Sequence, residues 1–443
     1  DDDSDPSHPR NWPQRQKWIN TLCCSMGGLV TLMSGAMLAP ALEHIRADLH
    51  TSSSTANLIL SIYVLAFGFG PLVLAPLTEI VGRKPVFVAC GLFYVCFNTV
   101  AGFARTVPLV AVARFLSGLG GSAEFAVTNP TLSDCWRPSE RGFSFALCNF
   151  IPLLGPALGP MLGGVVAQHV GWRWIFYLMS ILDFCVVLLV GWLFKECYPP
   201  LVVGRSNNRG REREGDTSAV AGSVTKLKLS QALLRPLKLL AFSPFIQVMS
   251  VALAYNFGVL YIAVTVLASV YMDRFGMSES QAGLHYVGLV VGYTLASQVG
   301  GKLTDVYWRR ASVRTPESRL LLVGPGSLLV VVGLLWWGWS AQHRLTGWAS
   351  VDVGLGVFGC GIILSTQAMQ MYVMESVGSA YVASASSASQ VLRNVFAFAF
   401  PVFAPLAYRR LGYGWANSVL ALAMLLVAVP MPLLLYRLGP RLR

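Results

Sequence analysis

Four ionisable side chains stand inside long apolar stretches of this sequence: Arg114, Glu124, Asp183 and Arg393. A charged group in such a stretch is costly and usually faces a cavity or a partner, so function is its default interpretation. Burial favours the protonated form of a carboxyl and a nearby cation favours the ionised form, which suits Glu124 and Asp183 to reversible proton binding. The alternative interpretation of Glu124 is purely structural, as the partner of a basic group or a hydroxyl.

The two arginines predict a different chemistry, because a guanidinium binds a carboxylate through two parallel hydrogen bonds. Arg114 and Glu124 are ten residues apart, about 15 Å along a helix and roughly 80° around it. We therefore expect them to share a cavity without forming a direct pair. The run "SASSASQ" (384–390) precedes Arg393 and predicts a wet helix face that leads to a buried cation.

Polar and aromatic side chains in the C-terminal half supply further candidates for substrate contact. Each is a weak signal alone, because tyrosine and glutamine also serve as contacts between membrane helices. They are Asn256, Tyr261, Tyr286, Tyr293, Gln298, Gln367 and Gln370.

The composition of the sequence predicts what kind of secondary structure positions these groups. Of the 443 residues 54% are hydrophobic and only 12% are charged, with a mean hydropathy of +0.58. Apolar stretches of about 20 residues recur, the length a helix needs to cross a bilayer. The sequence therefore predicts an all-α integral membrane protein.

Several function classes are excluded by pattern. The net charge of +12 is scattered through the loops and forms no patch for nucleic acid, and the nine cysteines show no metal-ligand spacing. No G-x-x-x-x-G-K motif for an ATP-driven pump and no H-E-x-x-H motif occurs. We expect neither an enzyme nor a bound cofactor or metal.

Apolar runs between charged breaks predict twelve spans in two groups of six. The intervening segment 195–243 reads as a charged cytoplasmic linker, between bundles at 18–194 and 244–436, with short ends at 1–17 and 437–443. The spans are 18–41, 56–77, 85–104, 108–131, 143–166, 174–194, 244–270, 281–303, 319–340, 347–372, 380–407 and 415–436.

Charge in the loops sets the orientation. Most of the 33 Lys and Arg residues fall in segments on the side of the N-terminus, so both termini are predicted to be cytoplasmic. Two charged islands, "PLTEIVGRK" (76–84) and "KLTDVYWRR" (302–310), occupy equivalent inner loops. This internal repeat predicts two six-helix halves related by an axis along the membrane normal, with substrate bound between them.

Several stretches resemble one family. "PLTEIVGRK" is similar to the loop 2–3 signature of the major facilitator superfamily, and "RFLSGLGGSAEF" resembles its span 4 motif around a buried arginine, here Arg114. "GPALGPMLGG" (155–164) resembles the span 5 antiporter motif. "SIYVLAFGFGPLVLAPLTE" and "LRNVFAFAFPVFAPLAYRRLGYGWANS" are similar to fungal drug:proton antiporters with twelve spans. The resemblance implies the major facilitator fold, with twelve helices in two pseudo-symmetric bundles.

The resemblance also implies gating groups. In loop 2–3 these are Glu79, Gly82, Arg83 and Lys84, interpreted as a charge latch or, alternatively, as a topological anchor; Asp305 is the acid of the second island. In span 5, Gly155 and Gly159 recur at every fourth position beside Pro156 and Pro160. They predict a gating seam or, alternatively, small-residue packing alone.

The sequence thus predicts proton-coupled export of a drug, toxin or secondary metabolite by alternating access. We expect a monomer in the lipid bilayer of the plasma membrane, driven by the proton gradient. One alternative is transport of an organic acid bound by Arg114 and Arg393. The other is a membrane sensor with this fold that transports nothing.

Overall fold

The structure is a computed structural model that describes residues 8–136, 144, 148, 150–152, 154–199, 238, 240–310, 320–343, 347–376, 382–428 and 430–431. Side chains at 129, 157, 299, 301–310, 374–375, 382–387 and 427–428 lie outside this description. The described residues form helices joined by short turns and contain no strand.

The described residues of the N-terminal half include eight helices. After a 3₁₀ turn at Pro9–Asn11 they run in the order α1 (Gln14–Ala36), α2 (Leu42–Asp48), α3 (Ser53–Val81), α4 (Arg83–Phe103), α5 (Val107–Gly121), α6 (Ala123–Cys135), α7 (Gly155–His169) and α8 (Arg173–Leu193). The short helix α2 lies in the predicted outer loop between spans 1 and 2.

In the C-terminal half, six helices lie within the part of the chain that the structure describes. They are α9 (Pro244–Phe275), α10 (Glu279–Leu284), α11 (Val287–Arg310), α12 (Val323–His343), α13 (Gly347–Ser376) and α14 (Val382–Ala428). The predicted linker 195–243 lies mostly outside the described residues, and so does the predicted tail 437–443.

Within the described residues, nine helical segments are long and apolar enough to cross a membrane. One of them, Ala388–Leu426, contains predicted spans 11 and 12, and α5 with α6 forms span 4. Helices α7 and α11 occupy the positions of spans 5 and 8. The all-helical membrane fold predicted from the sequence is confirmed.

Glycines set two of the sharpest turns. Gly82 has φ 106° and separates α3 from α4 without a loop, and Gly412 has φ 74° at the turn inside α14. Such positive φ angles are readily available only to glycine. Each turn reverses the chain between two successive spans.

Each half packs around its own apolar core, and two helix pairs join the halves. Helix α3 packs along α14, and α7 packs on α10. A small cluster that combines α3 and α6 with α9 and α14 lies between the halves. This cluster is where the functional side chains converge.

Candidate functional site

An aromatic cluster formed by both halves occupies the middle of the molecule. Tyr63, Phe67 and Phe125 come from the N-terminal half, and Phe257 and Tyr261 come from α9. The rings of Phe67 and Phe125 meet edge to face with centroids 5.1 Å apart. All five lie near the centres of their helices or of span 4, so the cluster sits at midplane depth.

Each half places one buried guanidinium against this cluster. Arg114 is 1% exposed and lies 4.3 Å from the centre of the Tyr63 ring. Arg393 is 8% exposed and lies 3.9 Å from the centre of the Phe257 ring. Tyr261 interacts electrostatically with both arginines. The two arginines named by the sequence therefore flank one shared aromatic surface.

Neither arginine is neutralised by a carboxylate among the described residues. Arg114 donates to the Ser34 hydroxyl at 3.3 Å and to the Ser34 carbonyl at 3.2 Å, and its Nε has no partner. The Nε of Arg393 is also buried without a partner. Desolvated, unpaired guanidinium groups can bind a carboxylate or stack on an aromatic ligand.

The other predicted contact residues separate into two groups. Asn256 donates to Ser365 at 3.1 Å while its carbonyl oxygen is unpartnered, and the buried Tyr293 hydroxyl is also unpartnered. Tyr286 instead donates to the Val264 carbonyl at 2.5 Å. Gln298 is exposed, and Gln367 and Gln370 are half-buried on α13. Asn256 and Tyr293 therefore have the free polar atoms that a ligand could use.

Glu124 lies inside the N-terminal bundle and is not a member of the aromatic cluster. One carboxylate oxygen contacts the Thr31 hydroxyl, as the structural interpretation of this residue predicted, but Oε1 is buried without a partner. A Cβ atom at Gly27 would lie 2.2 Å from Oε1, so only glycine leaves room for this side chain. Glu124 thus combines one structural bond with one free oxygen.

The prediction that Arg114 and Glu124 share a cavity needs correction. Glu124 lines a small internal cavity, and Arg114 is not among the residues that form its walls. Ser122 interrupts span 4 between them, and Arg114 faces Ser34 whereas Glu124 faces Thr31, nearly one turn away on α1. Asp183 on α8 is the other acid in that cavity.

Loop 2–3, which is predicted to lie on the inner side, forms a charge network. The acids of this network are not the predicted Glu79. Arg83 pairs with Asp134 at the end of α6 at 3.4 Å and donates to Thr78, while Glu79 is exposed. The carboxylate of Glu196, just after α8, accepts the backbone N–H groups of Arg83 and Lys84, each at 3.0 Å. Asp305 has no described side chain.

Glu196 is expected to stabilise this network more than Glu79 does. It also accepts the N–H groups of Cys197 and Tyr198, so Glu196→Ala leaves four donors without their acceptor. We expect a loss of about 1–3 kcal/mol, measured as lowered thermal stability of purified protein. Glu79→Ala is the matched control, and an equal loss in both variants would contradict the assignment.

The span 5 glycines Gly155 and Gly159 pack against α1, which belongs to the same N-terminal half as α7. A Cβ atom at Gly155 or Gly159 would lie 2.8 or 2.7 Å from backbone atoms of Met33 on α1. The contact between halves is made one position beyond Gly163, by Gly164, whose Cβ would lie 2.3 Å from the Glu279 carbonyl oxygen on α10. Pro156 lies at the start of α7.

Polar bonds join the halves beside this contact, which we call the α7–α10 seam. Pro160 contributes its carbonyl, which would lie 2.6 Å from a Cβ at Gly283. Gln168 accepts from the Ser280 hydroxyl at 2.7 Å, and His44 lies 2.5 Å from Glu279. The seam therefore closes the predicted outer side next to span 5.

Gly164→Ala is expected to open the α7–α10 seam, because the added methyl meets backbone that no rotamer change can move. The readout is disulfide formation between Gln168→Cys and Ser280→Cys, quantified by mass spectrometry of the linked peptides. We expect at least about a tenfold fall in cross-linked protein, the ratio produced by 1.4 kcal/mol. Gly191→Ala, with no atom within 4 Å of the added Cβ, should leave the yield unchanged.

A cavity of about 510 Å³, which we call the outer vestibule, lies on the predicted outer side of the cluster, between α2, α3, α9 and α14. Its bases have partners: Arg46 pairs with Glu43 at 2.8 Å, and Arg409 donates to Ser53 at 3.2 Å. Arg46 is also partly exposed and Arg409 is exposed, whereas the guanidinium groups at the aromatic cluster are buried. The cluster is therefore the stronger candidate for ligand binding.

Sequence reasoning missed several of these groups. Ser34, Tyr94, Asp134 and Glu196 hold the charged residues in place, but nothing in their local sequence marks them. Tyr63 and Phe257 have the ring faces on which the arginines stack. Aromatic residues in apolar spans are too common to signal such a role.

Comparison with known proteins agrees with this architecture. The sequence profile of the Major Facilitator Superfamily matches residues 24–401. The chain is 38% identical over 419 residues to the protein named probable efflux pump mfs2 of Aspergillus flavus, covering 92% of this chain and 98% of that one. It is 33% identical over 452 residues to efflux pump vrtL of Penicillium aethiopicum, covering 100% and 89%.

Among solved structures, the fold is similar to a partially occluded, inward-open conformation of the xylose transporter XylE from E. coli. The TM-score is 0.66 with 14% identity, covering 94% of this chain and 97% of that one. At this identity the likeness shows the fold alone. Together with the profile match and the fungal relatives, it confirms the predicted family: the chain belongs to the Major Facilitator Superfamily of membrane transporters.

Proposed function

We propose that this transporter exports a small organic compound, such as a drug, toxin or secondary metabolite, in exchange for protons by alternating access. It acts as a monomer in the plasma membrane, with both termini in the cytoplasm and no cofactor other than the proton gradient. The names of its fungal relatives, which include efflux pumps, support the direction of transport.

The observation that carries the proposal is the aromatic cluster with one unpaired guanidinium from each half. Because both halves contribute, rocking the halves apart divides the site and releases what it holds. Aromatic walls bind apolar ring systems, and Tyr293, whose buried hydroxyl has no partner, interacts electrostatically with Tyr261 of the cluster. This lining suits an amphipathic compound.

Transport of an organic acid is the second candidate, and the two guanidinium groups favour it. Neither Arg114 nor Arg393 forms an ion pair among the described residues, so each can take a carboxylate oxygen pair. A dicarboxylate would bridge the halves, whereas an aromatic drug would lie between the rings. The two candidates therefore differ in the charge of the ligand they require.

Proteoliposomes with an internal pH dye distinguish these possibilities. Cationic drugs, neutral metabolites and dicarboxylates are added in turn, and proton movement is followed against vesicles without protein. Proton movement coupled to cationic or neutral compounds supports drug antiport, and coupling to dicarboxylates alone supports the second candidate. If no class of compound produces proton movement with protein shown to be folded, proton-coupled transport would be overturned.

A further inference from the structure

Glu124 and Asp183 lie in one internal cavity of the N-terminal bundle, which we call the acidic chamber. Its walls come from α1, α4, α5, α6 and α8 and include Thr31, Phe87, Gly91 and Tyr94. Glu124 is 3% exposed and Asp183 is 9% exposed. Oε1 of Glu124 and Oδ2 of Asp183 are both buried without a hydrogen-bond partner.

We propose that the two carboxyl groups form a single proton-binding site, in which they hold one proton between them and never ionise together. The inference rests on the proposed function, because it names the site through which proton exchange would act. It differs from two independent carriers in that the charge on either acid determines the state of the other.

The surroundings of the chamber favour one shared proton. Two like charges in a buried, weakly polar cavity repel strongly, so the second ionisation is opposed by the first. No cation among the described residues pairs with either acid. Four described side chains interact electrostatically with the pair, and all four are thiols or phenols that carry no charge in their protonated form. They are Cys24 on α1, Tyr63 on α3, Tyr94 on α4 and Cys148.

The size of the chamber restricts what it can hold. About 10 Å³ is open to the centre of a water molecule, which is room for roughly one water. Glycines at 91, 120 and 121 and the Phe87 ring form much of the wall and offer no side-chain oxygen. The chamber therefore suits a proton better than a metal cation, which needs several oxygen ligands.

Thr31 accommodates both states of Glu124 with one hydroxyl. It can donate to the Gly27 carbonyl, 2.7 Å away, and then accept the proton of a neutral Glu124. Alternatively it donates to Glu124 when that group is ionised, because a hydroxyl is both donor and acceptor. A change of proton thus requires only that this hydroxyl rotate.

A chain of side chains connects the chamber with the aromatic cluster. Tyr94 lines the chamber and donates to the Ser34 hydroxyl at 2.8 Å, and Arg114 donates to the same hydroxyl. Arg114 in turn stacks on Tyr63. Two hydrogen bonds therefore join the wall of the chamber at Tyr94 to the arginine beside the aromatic cluster.

Infrared difference spectroscopy tests the site without any substrate. The carbonyl band of protonated carboxyl groups is titrated in purified, lipid-reconstituted protein for the wild type, Glu124→Gln, Asp183→Asn and the double variant. Glu43→Gln, an exposed outer carboxylate, is the matched control. The double variant supplies the background from the other carboxyl groups. After its subtraction, sharing predicts two well-separated steps in the wild type and one intermediate step in each single variant.

Independent carriers predict instead that the acid left in a single variant titrates at one of the two wild-type steps, and that result would overturn the proposal. Either single variant decides the question, so failure of one to fold leaves the test intact. If the titration midpoint shifts when sodium replaces potassium, the chamber binds a cation, and the proposal would also be overturned. Coupled titration with no transport would refute the proposed function alone.

Discussion

Glu124→Gln is expected to reduce proton-driven export to the level of empty vesicles while substrate exchange without a pH gradient continues. Glutamine keeps the size of the side chain and its contact with Thr31, but it cannot take up or release a proton. The shared site is then lost, and the Asp183 that remains titrates without its partner. Coupling is lost, although the binding surface between the halves is unchanged.

Two transport assays measure this in the same vesicles, one driven by a pH gradient and one driven by exchange of labelled for unlabelled substrate. Glu43→Gln controls for the loss of a carboxylate at the outer surface, where the group pairs with Arg46. Equal loss in both assays would show that Glu124 is structural, and unchanged gradient-driven flux would remove it from the coupling role.

Arg393→Ala is expected to weaken binding of carboxylate ligands much more than binding of neutral drugs. Loss of a buried, charge-assisted pair costs about 2–5 kcal/mol, which is roughly 30-fold or more in Kd. A neutral aromatic compound loses only a stacking contact, worth about 0.5–2 kcal/mol. The difference between the two ligand classes is therefore the quantity to measure.

Equilibrium binding of one dicarboxylate and one neutral drug to detergent-purified protein provides that comparison. Arg393→Lys keeps the charge without the planar fork, so it should recover part of the acid affinity. Arg409→Ala, which removes a base of the outer vestibule, should leave both affinities unchanged. Equal losses for the two ligands in Arg393→Ala would identify a structural arginine.

The fold could be predicted from the sequence because the bilayer imposes its own length scale on apolar runs. The repeat of the two charged islands then divided the chain into halves. The residues at which the helices are interrupted were harder to predict. Spans 11 and 12 continue through one helical segment with a turn at Gly412, and Ser122 interrupts span 4.

The site could be predicted only as a set of residues. Arg114, Glu124, Asp183 and Arg393 all proved buried, as a charge in an apolar run implies. Their partners could not be predicted, because partnership depends on how neighbouring helices rotate about their axes. Small angular offsets place Arg114 against Ser34 and Glu124 against Thr31, and no local pattern specifies them.

Loop 2–3 illustrates the same limit over longer separations. The sequence offered Glu79 as the acid nearest to Arg83, but the acids that contact this loop are Asp134 and Glu196. They lie 51 and 113 residues away along the chain. Proximity in sequence predicted Glu79 as the acid of this loop, whereas Asp134 and Glu196 make the contacts in the structure.

The α7–α10 seam has a consequence for the speed of the transport cycle. At Gly164 and Gly283 backbone meets backbone, so few flexible side chains interdigitate there. Parting the surfaces frees little rotamer entropy, and rejoining them requires little ordering. The exposed carbonyl groups keep their helical hydrogen bonds. Opening the seam must then break mainly the Gln168–Ser280 and His44–Glu279 side-chain bonds, so these two bonds set the kinetic barrier to separation.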